Sequence, residues 1–213
     1  NMDLVIRIPR PPVPGETILG GDFSTFPGGK GANQAVAAAR MGGEVTMVGR
    51  VGNDNFGDTL IQGLVENRVK TTHVIKDSSA PSGIAMIAVT ADGENLVMVA
   101  SGANANVSHE DVSNTRTLMR DTDILILQLE TPLETVTEAV NLAKAYEVPV
   151  LLNPAPGQPL TKALLTNVDY LTPNQNELLR LTEEDNMDDA IHKLREWGVK
   201  NLIVTLGANG LRM

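Results

Sequence analysis

The sequence contains no cysteine. That excludes disulfides, thiolate nucleophiles and Cys-ligated zinc, and it suits a cytoplasmic protein. Aromatic residues are scarce, at 3% of 213 residues, so a core has to rest on Ala, Val, Leu, Ile and Met. No apolar run approaches the roughly 20 residues of a membrane span, and no signal peptide is expected. Positive charge is also in short supply. The formal net charge is -9, which argues against a nucleic-acid partner, whose phosphates need a basic face. A single phosphorylated small molecule stays possible, because backbone N–H groups and one Lys can hold a phosphate locally. The three histidines, His73, His109 and His192, stand far apart with no metal-ligand spacing.

What remains is ordinary globular composition, 42% hydrophobic and 20% charged, long enough for one α/β domain with a small appendage. Strand-like and helix-like segments alternate. Val45–Val48 precedes a helical stretch from Phe56 to Asn67, and the apolar run Asp123–Leu127 reads as a buried parallel strand. Next, Thr131-Pro132-Leu133-Glu134 carries helix-start signals: Thr131 as cap, Pro132 at the first position and Glu134 completing a capping box. Leu133, Val136, Val140 and Ala143 then recur at helical spacing. Strands are expected again at 148–152, 168–171 and 201–204, separated by helices near 174–181 and 187–197. Such repetition implies a mostly parallel sheet with right-handed crossovers.

Two regions break the rhythm. Residues 16–26 read as extended, and residues 83–100 read as a hairpin turning at Asp92-Gly93. With no helix between them, they are expected to form a small antiparallel flap. The opening Asn1–Ile6 reads as a strand tail and Leu211–Met213 as a strand beginning, so the residues are expected to be a piece of something longer.

In an open α/β sheet, ligands collect at the carboxyl ends of the strands. There the sequence delivers Gln128 and Glu130, then Asn153, then Asn174, then Thr205 and Gly207. Each of these also suits a cap or turn. The strongest local signal is Phe26-Pro27-Gly28-Gly29-Lys30-Gly31-Ala32-Asn33-Gln34-Ala35. Its glycines allow close backbone approach, and Lys30 and Asn33 lie one turn apart near a helix start, where N–H groups point outward. It is not a Walker A loop, since Gly31 follows the lysine and Ser24 stands where the leading glycine belongs. Nor is it a G-x-G-x-x-G fingerprint. A glycine turn before a packed helix is the plainer reading; the Lys and Asn favour a site for a polyol. Glu177, one turn after Asn174, either complements the helix dipole or organises Mg²⁺ through water.

Taken together, these motifs resemble the PfkB-type carbohydrate kinases along essentially the whole chain. Gly28–Ala37 is similar to the family's first signature, in the form of its ribose-phosphorylating branch. Asn1-Met2-Asp3 resembles the sugar-binding strand end, Gly15-Glu16-Thr17 and Gly102-Ala103-Asn104-Ala105 the borders of the lid, and Gln128-Leu129-Glu130 and Asn153-Pro154-Ala155-Pro156 the later sugar-side segments. Asn174-x-x-Glu177 is similar to the family's Asn-x-x-Glu motif, and Thr205–Gly210 to the loop that wraps the nucleotide.

The resemblance implies a ribokinase-like three-layer α/β/α fold with a mostly parallel sheet and a small antiparallel β lid. Residues 1–14, 27–82 and 101–213 would form the core, and 15–26 and 83–100 the lid. It implies ATP-dependent phosphorylation of D-ribose at its 5-hydroxyl. Sugar binding would fall to Asn1, Asp3, Gly29, Lys30, Gly31, Asn33 and Glu130. Nucleotide binding would fall to Asn174, Thr205, Leu206, Gly207, Ala208, Asn209 and Gly210, with Mg²⁺ organised through water by Glu177. A monovalent cation (K⁺) and a homodimer through the lid are implied as well. The family's second signature, Gly-Ala-Gly-Asp, supplies the base and the anion hole. It does not occur in residues 1–213, so the catalytic Asp is expected beyond Met213 and no catalytic residue is assigned. The rivals are a related sugar or nucleoside kinase, or a non-catalytic sugar-binding homologue.

Overall fold

A computed structural model describes all residues, 1–213. The chain divides into two compact units, Asn1–Asn106 and Val107–Met213.

In the first unit the order is β1 (Met2–Arg7), β2 (Phe23–Pro27), α1 (Lys30–Arg40), β3 (Thr46–Gly52), α2 (Asn55–Glu66), β4 (Lys70–Asp77), β5 (Ile84–Val89) and β6 (Asn95–Ala100). A 3₁₀ helix, Gly102–Asn106, closes it. Four strands form one sheet in the order β2-β1-β5-β6. The outer pairings are antiparallel, and β1 lies parallel to β5 with Met2 opposite Ile84. The hairpin expected over 83–100 is therefore present as β5 and β6. Of the extended segment 16–26, only the part from Phe23 is a strand. Met2–Arg7 is the second strand of this sheet, between β2 and β5. Its N–H and C=O groups have partners on both sides there, which satisfies the backbone.

Strands β3 and β4 pair in parallel across α2. The helix starts where the Asp54 side chain accepts from Gly57 N at 2.8 Å, an ordinary N-cap. Leu60 packs with Val51 and Met2, and Leu64 with Ala35 and Val69. Burying each such side chain contributes roughly 1.5–3 kcal/mol.

The second unit holds α3 (His109–Ser113), β7 (Leu125–Leu127), α4 (Leu133–Ala145), β8 (Val150–Leu152), α5 (Lys162–Leu165), β9 (Tyr170–Leu171), α6 (Gln175–Thr182), α7 (Met187–Glu196), β10 (Asn201–Leu202), β11 (Val204–Thr205) and β12 (Leu211–Arg212). Strands β10-β9-β8-β7 form an all-parallel sheet. Its core is aliphatic, with Val140, Leu152, Leu165, Leu171, Leu178, Leu194 and Val204 all fully buried. Helix α4 buries Val136, Val140 and Ala143 as the spacing predicts. Its start differs from expectation. Pro132 is the N-cap, and no side chain caps the helix, so Thr131 and Glu134 form no capping box. Proline brings no N–H that needs a partner, and its φ of -56° already suits the approach to a helix.

Candidate functional site

Polar residues gather at one place in each unit. In the first, β1 carries Asn1 at its head and Asp3 two residues on, side chains that strand periodicity puts on one face. The turn between β2 and α1 comes back against them. Gly28 N donates to Asn1 O at 2.9 Å. Gly28 is buried, and a Cβ there would overlap the Asp3 carboxylate. Gly29 is the N-cap of α1 with φ +92°, and a Cβ on it would lie 2.8 Å from Asn1 N. Both positions thus require glycine, one for space and one for space and backbone conformation. Lys30 and Gly31 follow in the first turn of α1, and Asn33 N bonds back to Gly29 O at 2.9 Å. So Asn1, Asp3, Gly29, Lys30, Gly31 and Asn33 share one neighbourhood: a carboxylate, two amides and a lysine around the open N-terminus of an 11-residue helix. That mixture can both donate to and accept from sugar hydroxyls.

The segment 81–83 borders this cluster and is held by a second network. Asp54 accepts from Ser82 N at 2.8 Å and Ser82 Oγ at 2.7 Å, and Ser82 Oγ accepts from Gly52 N at 2.9 Å. Burial disfavours the charge on Asp54, but the donors on Ser82, Gly57 and Phe56 outweigh it and hold its carboxyl below the usual range. Asp77 is almost fully buried. It accepts from Ser79 Oγ at 2.6 Å, Ser79 N at 2.8 Å, Asn106 Nδ2 at 3.0 Å and Arg50 Nη1 at 3.1 Å. Led by the Ser79 hydroxyl, these donors hold its carboxyl far below the ordinary value, against the opposing effect of burial. Gly83 O then accepts from Met2 N at 2.8 Å, and Pro81 O from Ala103 N at 2.8 Å. Finally, Asn104 Nδ2 donates to Asn1 Oδ1 at 2.8 Å. Asn104 lies in the Gly102–Ala105 stretch that resembles a lid border, but nothing local in the sequence signals its contact with Asn1 across 103 residues or the place of Gly83 beneath it.

In the second unit the strands of the parallel sheet deliver their carboxyl ends to one edge. Glu130 follows β7, Asn153 follows β8 and Asn174 follows β9, while Thr205 ends β11, which follows β10 in the chain and pairs with β12 outside that sheet. The backbone pairing continues past the strands: Asn153 N to Leu127 O, Thr172 N to Leu152 O and Thr205 N to Pro173 O, at 2.9, 3.0 and 2.9 Å. Asn153 Nδ2 is fixed by Thr172 O at 2.7 Å. Asn174 and Glu177 form a reciprocal capping box on α6, with both bonds at 2.8 Å. Asn174 also bridges to Thr205. After Thr205 the chain folds into a tight exposed loop. Leu206 N bonds to Gly210 O at 2.8 Å, and Gly207, Ala208 and Asn209 make a single 3₁₀ turn. The nucleotide-side candidates Asn174, Thr205 and Leu206–Gly210 thus adjoin one another beside the N-terminus of α6. Nowhere do three or more His, Asp or Glu side chains group to hold a metal ion. A Mg²⁺ ion that keeps its waters and sits mainly on nucleotide phosphates needs no such cage; Glu177, whose Oε2 is engaged in the cap, could reach it through water.

A family model described as "pfkB family carbohydrate kinase" matches residues 1–213. The ribokinase of Bacillus subtilis (strain 168) is 40% identical over 212 residues, which are 100% of this chain and 71% of the relative. The deoxyribokinase of Salmonella typhimurium is 37% identical over 215 residues, 98% of this chain and 70% of the relative. Among solved structures, Arabidopsis thaliana ribokinase complexed with ribose and ATP superposes with a TM-score of 0.86 at 32% identity, covering 99% of this chain and 70% of the other. These likenesses bear out the expected fold class, a ribokinase-like α/β fold with mostly parallel strands and a small antiparallel element. No helix is long and apolar enough to cross a membrane. Matched along its whole length, the chain belongs to the pfkB family of carbohydrate kinases.

Proposed function

We propose that this chain serves the ATP-dependent phosphorylation of D-ribose at its 5-hydroxyl, giving ribose 5-phosphate. The observation that carries the reading is the packing of Asn1 and Asp3 against the Gly28-Gly29 turn at the head of α1. It is supported by the ribokinase relatives and by the likeness to a ribokinase holding ribose and ATP. We assign the sugar to Asn1, Asp3, Gly29, Lys30, Gly31, Asn33 and Glu130. The nucleotide goes to Asn174 and Thr205–Gly210, with Mg²⁺ organised through water by Glu177 and a monovalent cation as a further requirement. The sheet of β1, β2, β5 and β6 is assigned as the lid. It exposes Phe23, Phe26, Met86 and Val97–Val99, an apolar surface suited to a homodimer contact in the cytoplasm.

In the reaction, the ribose O5 forms a bond to the γ-phosphorus as the bond from that phosphorus to the β,γ-bridging oxygen breaks, and the hydroxyl proton passes to a base. We assign no base within residues 1–213. These residues bind and align the reactants, which is the larger part of phosphoryl-transfer catalysis. Titration calorimetry with D-ribose, 2-deoxy-D-ribose, D-fructose and adenosine tests the reading. D-Ribose should bind most tightly. Equal or tighter binding of 2-deoxy-D-ribose would overturn the choice of ribose in favour of the deoxyribokinase-like alternative.

A further inference from the structure

Asn104 occupies an unusual place for a residue in a short 3₁₀ helix. Its side-chain NH₂ crosses to the head of β1 and donates to Asn1 Oδ1 at 2.8 Å. Gly83 lies beneath that bond. A Cβ there would overlap Asn104 Nδ2 and come within 2.5 Å of Asn1 Oδ1, so any larger residue would separate the two amides. The platform under Asn104 is rigid. Ala103 is fully buried and bonded to Pro81 O, while Asn106 of the same turn is tied to Asp77 at 3.0 Å.

An asparagine amide presents a donor at one end and an acceptor at the other, and its neighbours decide which end faces a ligand. With Oδ1 engaged by Asn104, Asn1 meets a ligand with its NH₂ group. Asp3, two residues along the same strand face, is acceptor-only when ionised. A sugar hydroxyl both donates and accepts, so a donor beside an acceptor suits one hydroxyl or a vicinal pair, whereas two acceptors side by side do not. We propose that Asn104 is a positioning residue that sets the polarity of the Asn1 amide and so makes Asn1 a hydrogen-bond donor to the sugar. The proposal rests on the assignment of Asn1 to the sugar site above.

The test is a double-mutant cycle on the full chain, reading D-ribose and ATP affinities by calorimetry and folding by thermal denaturation. Asn104→Ala should weaken ribose binding roughly five- to tenfold, as expected for one lost orienting hydrogen bond. In an Asn1→Ala background the same change should have no further effect, because Asn104 acts only through Asn1. Asn104→Asp is nearly isosteric and keeps the packing even if the alanine variant folds poorly. Its carboxylate can only accept, so it turns the Asn1 NH₂ toward itself and leaves two acceptors facing the sugar. It should weaken ribose binding more than Asn104→Ala while ATP affinity holds. Additive losses in the cycle, or an Asp variant that binds ribose like the parent, would overturn the proposal while leaving the sugar-site reading intact. Unchanged ribose binding in Asn1→Ala alone would instead remove Asn1 from the sugar site, and the proposal with it.

Discussion

Gly28→Ala probes the sugar-side geometry with a single methyl group. Gly28 is not among the residues with positive φ, so alanine is compatible with its backbone, and the entropy it removes from the unfolded chain favours folding slightly. The obstacle is Asp3. The new Cβ would fall within 3.0 Å of the Asp3 carboxyl carbon and both its oxygens, where ordinary contact begins at 3.4 Å. Because the backbone around Gly28 is bonded to Asn1, the carboxylate is the part that yields, and its escape is into another χ1 well. A hydrogen bond from a sugar hydroxyl to a carboxylate is worth about 1.5–3 kcal/mol, so its loss should weaken D-ribose binding roughly 10- to 150-fold. Calorimetry reads that change directly, and ATP affinity is the internal control. Gly42→Ala is the companion variant: it stands at φ +96° with nothing within 4 Å of the added atom. It should lower thermal stability and leave ribose affinity alone. If Gly28→Ala binds ribose within about twofold of the parent, a span too small for any lost charge-assisted bond, the Asp3 carboxylate is not a sugar ligand and the reasoning fails.

Other perturbations reach other parts of the molecule. Leu165→Ala empties a fully buried position of the second unit and should cost about 2–5 kcal/mol of stability in denaturant unfolding; a smaller loss would mean the surrounding helices close over the gap. Asp77 has a lowered native pKa, so it contributes stability above the unfolded-chain value of about 4, and that contribution is lost as pH falls through the native value. Asp77→Asn should therefore be less stable than the parent at pH 7, with the difference shrinking below about pH 4; a pH-independent difference would contradict the assignment. Glu177→Gln keeps an acceptor for Asn174 N, as a capping box tolerates Gln, and removes only charge. It should leave the melting temperature nearly unchanged and raise the Mg²⁺ concentration needed for nucleotide binding; superimposable Mg²⁺ titrations would remove that role.

Much of the fold is legible because its elements are long and periodic, or punctuated by strong turn residues. The helical stretch expected over 56–67 is α2, and the β5–β6 hairpin announces itself through Asp92-Gly93. Local chemistry misleads where tertiary pairing decides. Thr131 reads as a cap, yet Pro132 takes that position. Residues 16–22 look as extended as Phe23–Pro27, but only the latter form a strand. Beyond it Gly21 N still reaches Arg7 O at 2.8 Å, so the chain stays beside β1 without a regular ladder. The site is legible to the same degree. Gly28–Asn33 forms a contiguous motif, and the strand-end residues from Glu130 to Thr205 follow from the parallel topology. The pairing of Gly83 and Asn104 with the head of β1 does not, because Gly102–Ala105 reads only as a lid border and a glycine near a turn has a ready local explanation. Their significance lies in a hydrogen bond between residues 103 positions apart.

The acidic balance of the chain is consistent with this construction. On the proposed nucleotide side the backbone N–H groups of a compact loop stand beside Asn, Thr and a helix N-terminus, and partial charges of that kind suit phosphate without a basic field. On the proposed sugar side, space beside Asn1 and Asp3 is made by leaving out Cβ atoms at Gly28, Gly29 and Gly83. The acidic residues Asp54 and Asp77 act inward: each spends its carboxylate on fixing the loop that carries Gly83 or the turn that carries Asn104. A site made this way depends on backbone position to within a few tenths of an ångström. Methyl-sized substitutions at its glycines are therefore expected to matter more than changes to most of the charges on its surface.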